Sequence, residues 1–131
     1  MLMHIVMFTF KSPWSWSSLE AIDAERVTRT HPNQIGEIKG WSCGRNTTKR
    51  DVAADFVVIG LFENNEDLNT YIVHPDHQKG VMKWRSIADW KVVDIEFPSD
   101  FTLNCGLLSV LNNLTYSSGK ISNILRNEDE V

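Results

Sequence analysis

The sequence predicts an α+β domain with the order β-α-β-β-α-β, a four-stranded antiparallel sheet carrying its helices on one face. Three observations predict it. Four apolar runs rich in β-branched and aromatic residues lie at 2–10, 38–45, 55–63 and 89–97. Helical patterning separates the first from the second and the third from the fourth. Only a polar joint, 46–53 (NTTKRDVA), separates the middle two. Two split β-α-β units joined this way give the antiparallel sheet.

The first run, LMHIVMFTF, is almost wholly apolar, and Pro13 with the serines after it ends it. Ser17-Ser18-Leu19-Glu20 fits a capping box, with Ser17 as cap and Glu20 reaching back. A helix over 18–30 follows, its apolar stripe carried by Leu19, Ile22 and Val27, and His31-Pro32-Asn33 stops it. IKGWSCGR makes the second strand, where Gly40 and Gly44 mark bulges or close backbone approach. DFVVIGLFE makes the third. Asn64-Asn65-Glu66-Asp67 caps a short helix bearing Leu68, Tyr71 and Ile72. A second helical piece begins at His74-Pro75, since proline suits the first helical position. Its inner face is His77, Val81, Trp84 and Ala88, at spacings of four, three and four. DWKVVDIEF is the last strand.

Both faces of these strands are apolar. Val6, Phe8 and Phe10 oppose Met3, Ile5 and Met7, while Phe56, Val58 and Phe62 oppose Val57, Ile59 and Leu61. Two helices cover one face only, and an antiparallel sheet with a wet face should alternate apolar with polar. An uncovered apolar face implies a partner, most simply a second copy about a two-fold axis. The domain is therefore expected over 1–97. The extension 98–131 carries Leu103, Leu107, Leu111 and Leu114 at helical spacing, then Ser117-Ser118-Gly119 and an acidic end. One amphipathic helix with a frayed tail and a poorly ordered segment are both open for it.

Composition narrows the function. The net charge of −4 and scattered basic residues give no footing for a phosphate backbone, so nucleic acid is set aside. No run approaches a membrane span and the N-terminus lacks a signal pattern, so a cytoplasmic protein is expected. Cys43 and Cys105 make no C-x-x-C and read as buried or half-buried thiols. Of the five tryptophans, Trp41, Trp84 and Trp90 fall in elements and read as core or interface. Trp14 and Trp16, in the loop after the first strand, either lid a ligand cavity or pack on the C-terminal tail.

The residues able to do chemistry cluster at Tyr71-Ile72-Val73-His74-Pro75-Asp76-His77, with His4 on the first strand. Imidazole titrates near neutrality and a phenol donates to an oxyanion, so Tyr71 and His77 suit an acid–base pair. His77 also reads as a core histidine, Tyr71 as core, and His74 as a helix cap. His74 and His77 lack further ligands, so no metal site is expected. No Gly-rich phosphate loop, H-E-x-x-H or G-x-S-x-G is present.

Taken in order, His4-Ile5-Val6-Met7-Phe8, Trp41-Ser42-Cys43-Gly44-Arg45-Asn46, Asp55-Phe56-Val57-Val58-Ile59-Gly60, the segment 71–77 and Val93-Asp94-Ile95-Glu96-Phe97 resemble the stress-responsive A/B barrel domain (Dabb) family. The resemblance covers about residues 2–97. It implies a ferredoxin-like subunit, two of which form a dimeric α+β barrel, and no organic cofactor. A plant member, olivetolic acid cyclase, closes a polyketide by aldol condensation between sheet and helices. Its tyrosine and histidine match Tyr71 and His77, and its first-strand histidine matches His4. Where it has a further pocket histidine, this chain has Phe56. The expected site is thus a small apolar cavity lined by His4, Phe56, Tyr71, His77, Val81 and Trp84, taking a small hydrophobic or aromatic molecule. The alternatives are a cofactor-free enzyme of cyclase or oxygenase type using Tyr71 and His77, and a purely structural dimer.

Overall fold

The computed structural model describes residues 1–98. The order is β1 (Leu2–Phe10), α1 (Leu19–Arg29), α2 (His31–Gln34), β2 (Gly40–Arg45), β3 (Phe56–Phe62), α3 (Asn65–Val73), α4 (Pro75–Arg85) and β4 (Ala88–Glu96). The strands form one antiparallel sheet in the order β2-β3-β1-β4, so β1 is central. The extension anticipated beyond residue 97 lies, but for Pro98, outside the described residues. Among the described residues no helix is long and apolar enough to cross a membrane.

Register decides the faces. His4 pairs with Gly60 and Asp94, and Val6 with Val58 and Val92. Phe8 pairs with Phe56 and Trp90. These residues face the helices, because side chains on adjacent strands at one register position share a face. The core there joins Val6, Phe8, Phe56 and Val58 to Ala21, Ala24, Trp84 and Ile87. A second cluster joins Leu2, Phe62, Ile35, Leu68 and Tyr71. The opposite face carries Met3, Ile5, Met7, Val57, Ile59, Leu61, Val93 and Ile95. No described helix covers it; Met1 and Phe97 pack over Met3 and Leu61, and Met7, Val93 and Ile95 are exposed.

Several expectations need correction. The capping box does not form. Ser18, not Ser17, precedes α1, it makes no cap bond, and its hydroxyl accepts from the Ser15 N–H. The α1 stripe has another phase: Leu19 is 82% exposed, Ile22 points out, and Ala21, Ala24, Val27 and Thr28 face inward. Phe56 and Trp84 already fill that space with aromatic bulk, and only small side chains let the helix approach. The stop expected at His31-Pro32-Asn33 holds, since α1 ends at Arg29 with Thr30 as its C-cap, but these residues also start the single-turn α2, with proline in its first turn. β2 begins at Gly40 rather than Ile38. Ala88 opens β4 instead of extending the face of α4, because α4 ends at Arg85 and the chain reverses with Ile87 N–H donating to Trp84 O. β2 pairs without a bulge, and a Cβ at Gly44 would meet open space. The glycine that admits a close approach is Gly60, where a Cβ would stand 2.9 Å from the Trp41 ring. Trp14 and Trp16 pack on the main core, Trp16 edge-on to Phe10, Phe56 and Trp84 with the Arg45 guanidinium 4.1 Å over its ring.

Candidate functional site

A cavity of about 230 Å³ lies between the helix-facing side of the sheet and α3–α4. Val6, Phe8, Val58, Trp90 and Val92 form its sheet wall; Ile72, Val81 and Trp84 form much of the helical one. Five polar side chains interrupt this apolar lining from within: His4, Thr28, His31, Tyr71 and His77, with Asp94 beside them on β4.

The local sequence explains how α3 and α4 deliver two of these. Asn64 caps α3 by accepting from the Asp67 N–H, which starts a helix whose buried face is Leu68 and Tyr71. The chain then bends at His74, whose Nδ1 accepts from the Asp76 N–H, and Pro75 opens α4. His74 is thus a cap. The bend brings the Tyr71 and His77 rings to 4.2 Å between centroids.

Hydrogen bonding fixes the tautomers. His77 Nδ1 is 2.8 Å from Ile72 O. A carbonyl only accepts, so Nδ1 carries the proton and the neutral ring keeps its lone pair on Nε2. Burial holds His77 below the ordinary imidazole value, opposed by the Ile72 carbonyl and reinforced by His31 and His4. His4 Nδ1 lies 2.6 Å from an Asp94 carboxylate oxygen; when the carboxylate accepts, the neutral ring has its lone pair on Nε2, which has no hydrogen-bond partner among the described residues. Tyr71 is 2% exposed, edge-on to His4 at 5.6 Å, and its hydroxyl has no hydrogen-bond partner among the described residues. Burial raises its pKa first, and the nearby Cys43 and Asp94 add to that, so the phenol stays protonated and able to donate. Thr28 is already committed: its hydroxyl donates to Ala24 O and accepts from Trp84 Nε1–H, both at 2.8 Å.

Of the residues the sequence pointed to, His4, Tyr71, His77, Val81 and Trp84 line one cavity. Phe56 does not. It is packed against Phe8, Trp16 and Trp84, with Trp84 stacked on it at 5.4 Å, and belongs to the core beside the cavity. Cys43 is half-buried and its thiol is pushed up to about 12 by desolvation, so it offers no thiolate near neutral pH. Among the described residues no group of three or more His, Cys, Asp or Glu is placed to hold a metal ion.

Sequence reasoning missed His31, Asp94 and Gly80, and it singled out Asp76 without seeing its pairing with His31. His31 lines the cavity and its Nδ1 is 2.7 Å from Asp76. Its partner stands 45 positions away, so spacing held no signal. Asp94 was legible only through the β1–β4 register that sets it opposite His4.

Comparison with known proteins follows the same boundaries. The family model for the stress responsive A/B barrel domain matches residues 2–97. An uncharacterized protein of Streptomyces coelicolor is 30% identical over 97 residues, which span 74% of this chain and all of that one. Among solved structures, a dimeric ferredoxin-like protein of unknown function from Thermobifida fusca aligns with a TM-score of 0.65 at 18% identity, covering 73% of this chain and 90% of that one. A Dabb family protein with a ferredoxin-like fold from Mesorhizobium loti aligns at 0.63 and 20% identity, over 75% and 97% of the two chains. The hydroxynitrile lyase of Passiflora edulis aligns at 0.64 and 16% identity, over 75% and 94%. At these identities the structures share the fold.

Proposed function

The chain belongs to the stress-responsive A/B barrel family, and from that premise we propose that it works as a homodimer joined through the open sheet face, each subunit holding a small aromatic molecule in its helix-side cavity. The homodimer rests on the eight apolar side chains of that face, several of them exposed, and on the dimeric ferredoxin-like protein from Thermobifida fusca that shares the fold. The ligand size rests on volume: an apolar cavity of about 150 Å³ takes a benzene, so one of about 230 Å³ suits a single ring with a few substituents. The observation that carries the reading is the Tyr71 hydroxyl, buried, without a partner among the described residues, and at the wall of a cavity it shares with His77. A buried donor without an acceptor is costly, and a ligand oxygen would satisfy it.

The test uses 4-nitrophenol, whose absorbance reports both binding and ionisation. Saturable binding is expected, weakened about tenfold or more in Tyr71→Phe, since a hydrogen bond to a charged or strongly polarised oxygen is worth roughly 1.5–3 kcal/mol. Equal binding by Tyr71→Phe, or no saturation by the wild type, overturns the reading. Sedimentation of wild type and Ile59→Asp tests the dimer. A monomeric wild type would refute it.

A second reading, proton-transfer catalysis, is favoured by the His77 tautomer. His77 Nε2 would take a proton from an acidic C–H while the Tyr71 O–H stabilises the developing oxyanion. Ring opening of 5-nitrobenzisoxazole probes this: the C–H proton goes to His77, the N–O bond breaks, and the phenolate oxygen accepts from Tyr71. Loss of turnover in His77→Ala is expected, and unchanged turnover in that variant sinks it.

A further inference from the structure

The cavity holds one more buried imidazole that the reading above leaves unused. His31 is 3% exposed and lines the cavity from α2. Its Nδ1 meets the Asp76 carboxylate at 2.7 Å. A carboxylate only accepts, so the proton sits on Nδ1 and Nε2 keeps a lone pair. Among the described residues nothing donates to that Nε2. The ring edge bearing it lies against Gly80, where a Cβ would stand 2.9 Å from Nε2 and 3.0 Å from Cε1. Gly80 itself lines the cavity. The absent side chain therefore makes room for the imidazole inside a helix that would otherwise prefer alanine, and it sets the ring edge bearing Nε2 against a residue that itself lines the cavity.

His31 also stands beside His77, their ring centroids 5.9 Å apart. Each ring has its Nδ1 occupied by a fixed acceptor, Asp76 for one and Ile72 O for the other. Each consequently offers Nε2 as an acceptor. The Thr28 hydroxyl, nearby, spends its one proton on Ala24 O and accepts from Trp84 Nε1–H, so it has no donor left to offer.

We propose that His31 is a second ligand-contacting histidine, a hydrogen-bond acceptor that acts with His77 to select a ring bearing two O–H donors over a ring bearing one. This rests on the small-molecule reading of the cavity. Specificity follows because a buried acceptor left unpaired penalises the ligand that lacks the matching donor.

Phenol, catechol and hydroquinone are titrated calorimetrically into the full chain, wild type and His31→Leu. At least one dihydroxybenzene should bind the wild type about fivefold or more tighter than phenol. In His31→Leu that preference, read as the ratio of the two affinities, should fall to near unity. In the wild type, the ¹⁵N resonance of His31 Nε2 should move on adding the dihydroxybenzene, a readout that needs no variant to fold. Phenol binding without any preference, or with a His31 resonance that stays still, overturns the role of His31 and leaves the cavity reading standing. Failure of all three compounds to saturate the wild type overturns the cavity reading, and this inference with it.

Discussion

Gly80→Ala isolates the contact on which the His31 wall is built. Gly80 has no positive φ, so alanine meets no backbone strain there, and an isolated helix would gain about 1 kcal/mol from the change. In the folded chain the new methyl would stand 2.9 Å from His31 Nε2. The imidazole has little freedom to retreat, because Asp76 holds its far side and Trp41 and Tyr71 lie edge-on to it at 5.9 and 6.4 Å. Overpacking of this sort costs about 1–3 kcal/mol. The net effect in the wild type is a destabilisation of roughly 0–2 kcal/mol. In a His31→Ala background the obstacle is gone, and the same change should stabilise by about 1 kcal/mol. The double-mutant cycle is therefore expected to show a coupling of about 2 kcal/mol. Urea unfolding of the four proteins at one protein concentration measures it, the fixed concentration removing any contribution from association. If Gly80→Ala stabilises both backgrounds equally, the His31 ring does not stand against Gly80, and this wall of the cavity is built differently.

Other perturbations separate structure from function. Tyr71→Phe removes a buried hydroxyl that has no partner among the described residues, so stability by urea unfolding should hold or rise by about 1 kcal/mol while 4-nitrophenol binding weakens; a loss of 2 kcal/mol would mean the hydroxyl already has a partner. Thr28→Val strands the Trp84 Nε1–H it now satisfies at 2.8 Å, with an expected cost of about 1–3 kcal/mol in the same assay. Burial holds His31 and His77 below the ordinary imidazole value near 6.5, so the unfolded chain binds protons first as pH falls. Stability should thus decline on acidification from about pH 7 through 6.5 and below, more steeply in the wild type than in His77→Asn; a flat urea midpoint over that window contradicts the assignment.

The element pattern was legible in the sequence because it rests on local physics. Alternation put Val6, Phe8, Phe56 and Val58 on one face and Met3, Ile5, Val57 and Ile59 on the other, and the register keeps that division. Asn64 and Pro75 mark their helix starts through backbone groups only a few positions away. Tyr71 and His77 were legible for the same reason: the bend at His74-Pro75 is local, and it alone brings their rings together.

Tertiary structure decided the rest. The stripe of α1 was misread because hydrophobicity favoured Leu19 and Ile22, whereas the space left beside Phe56 and Trp84 admits only Ala21 and Ala24. Phe56 left the cavity because its neighbours across the sheet and on α4 closed around it. The site's histidines owe their tautomers to acceptors that no spacing announces: His4 to Asp94, 90 positions away, and His31 to Asp76, 45 positions away. Side-chain periodicity is a property of one element, while a hydrogen bond between elements depends on where the whole chain has placed both ends.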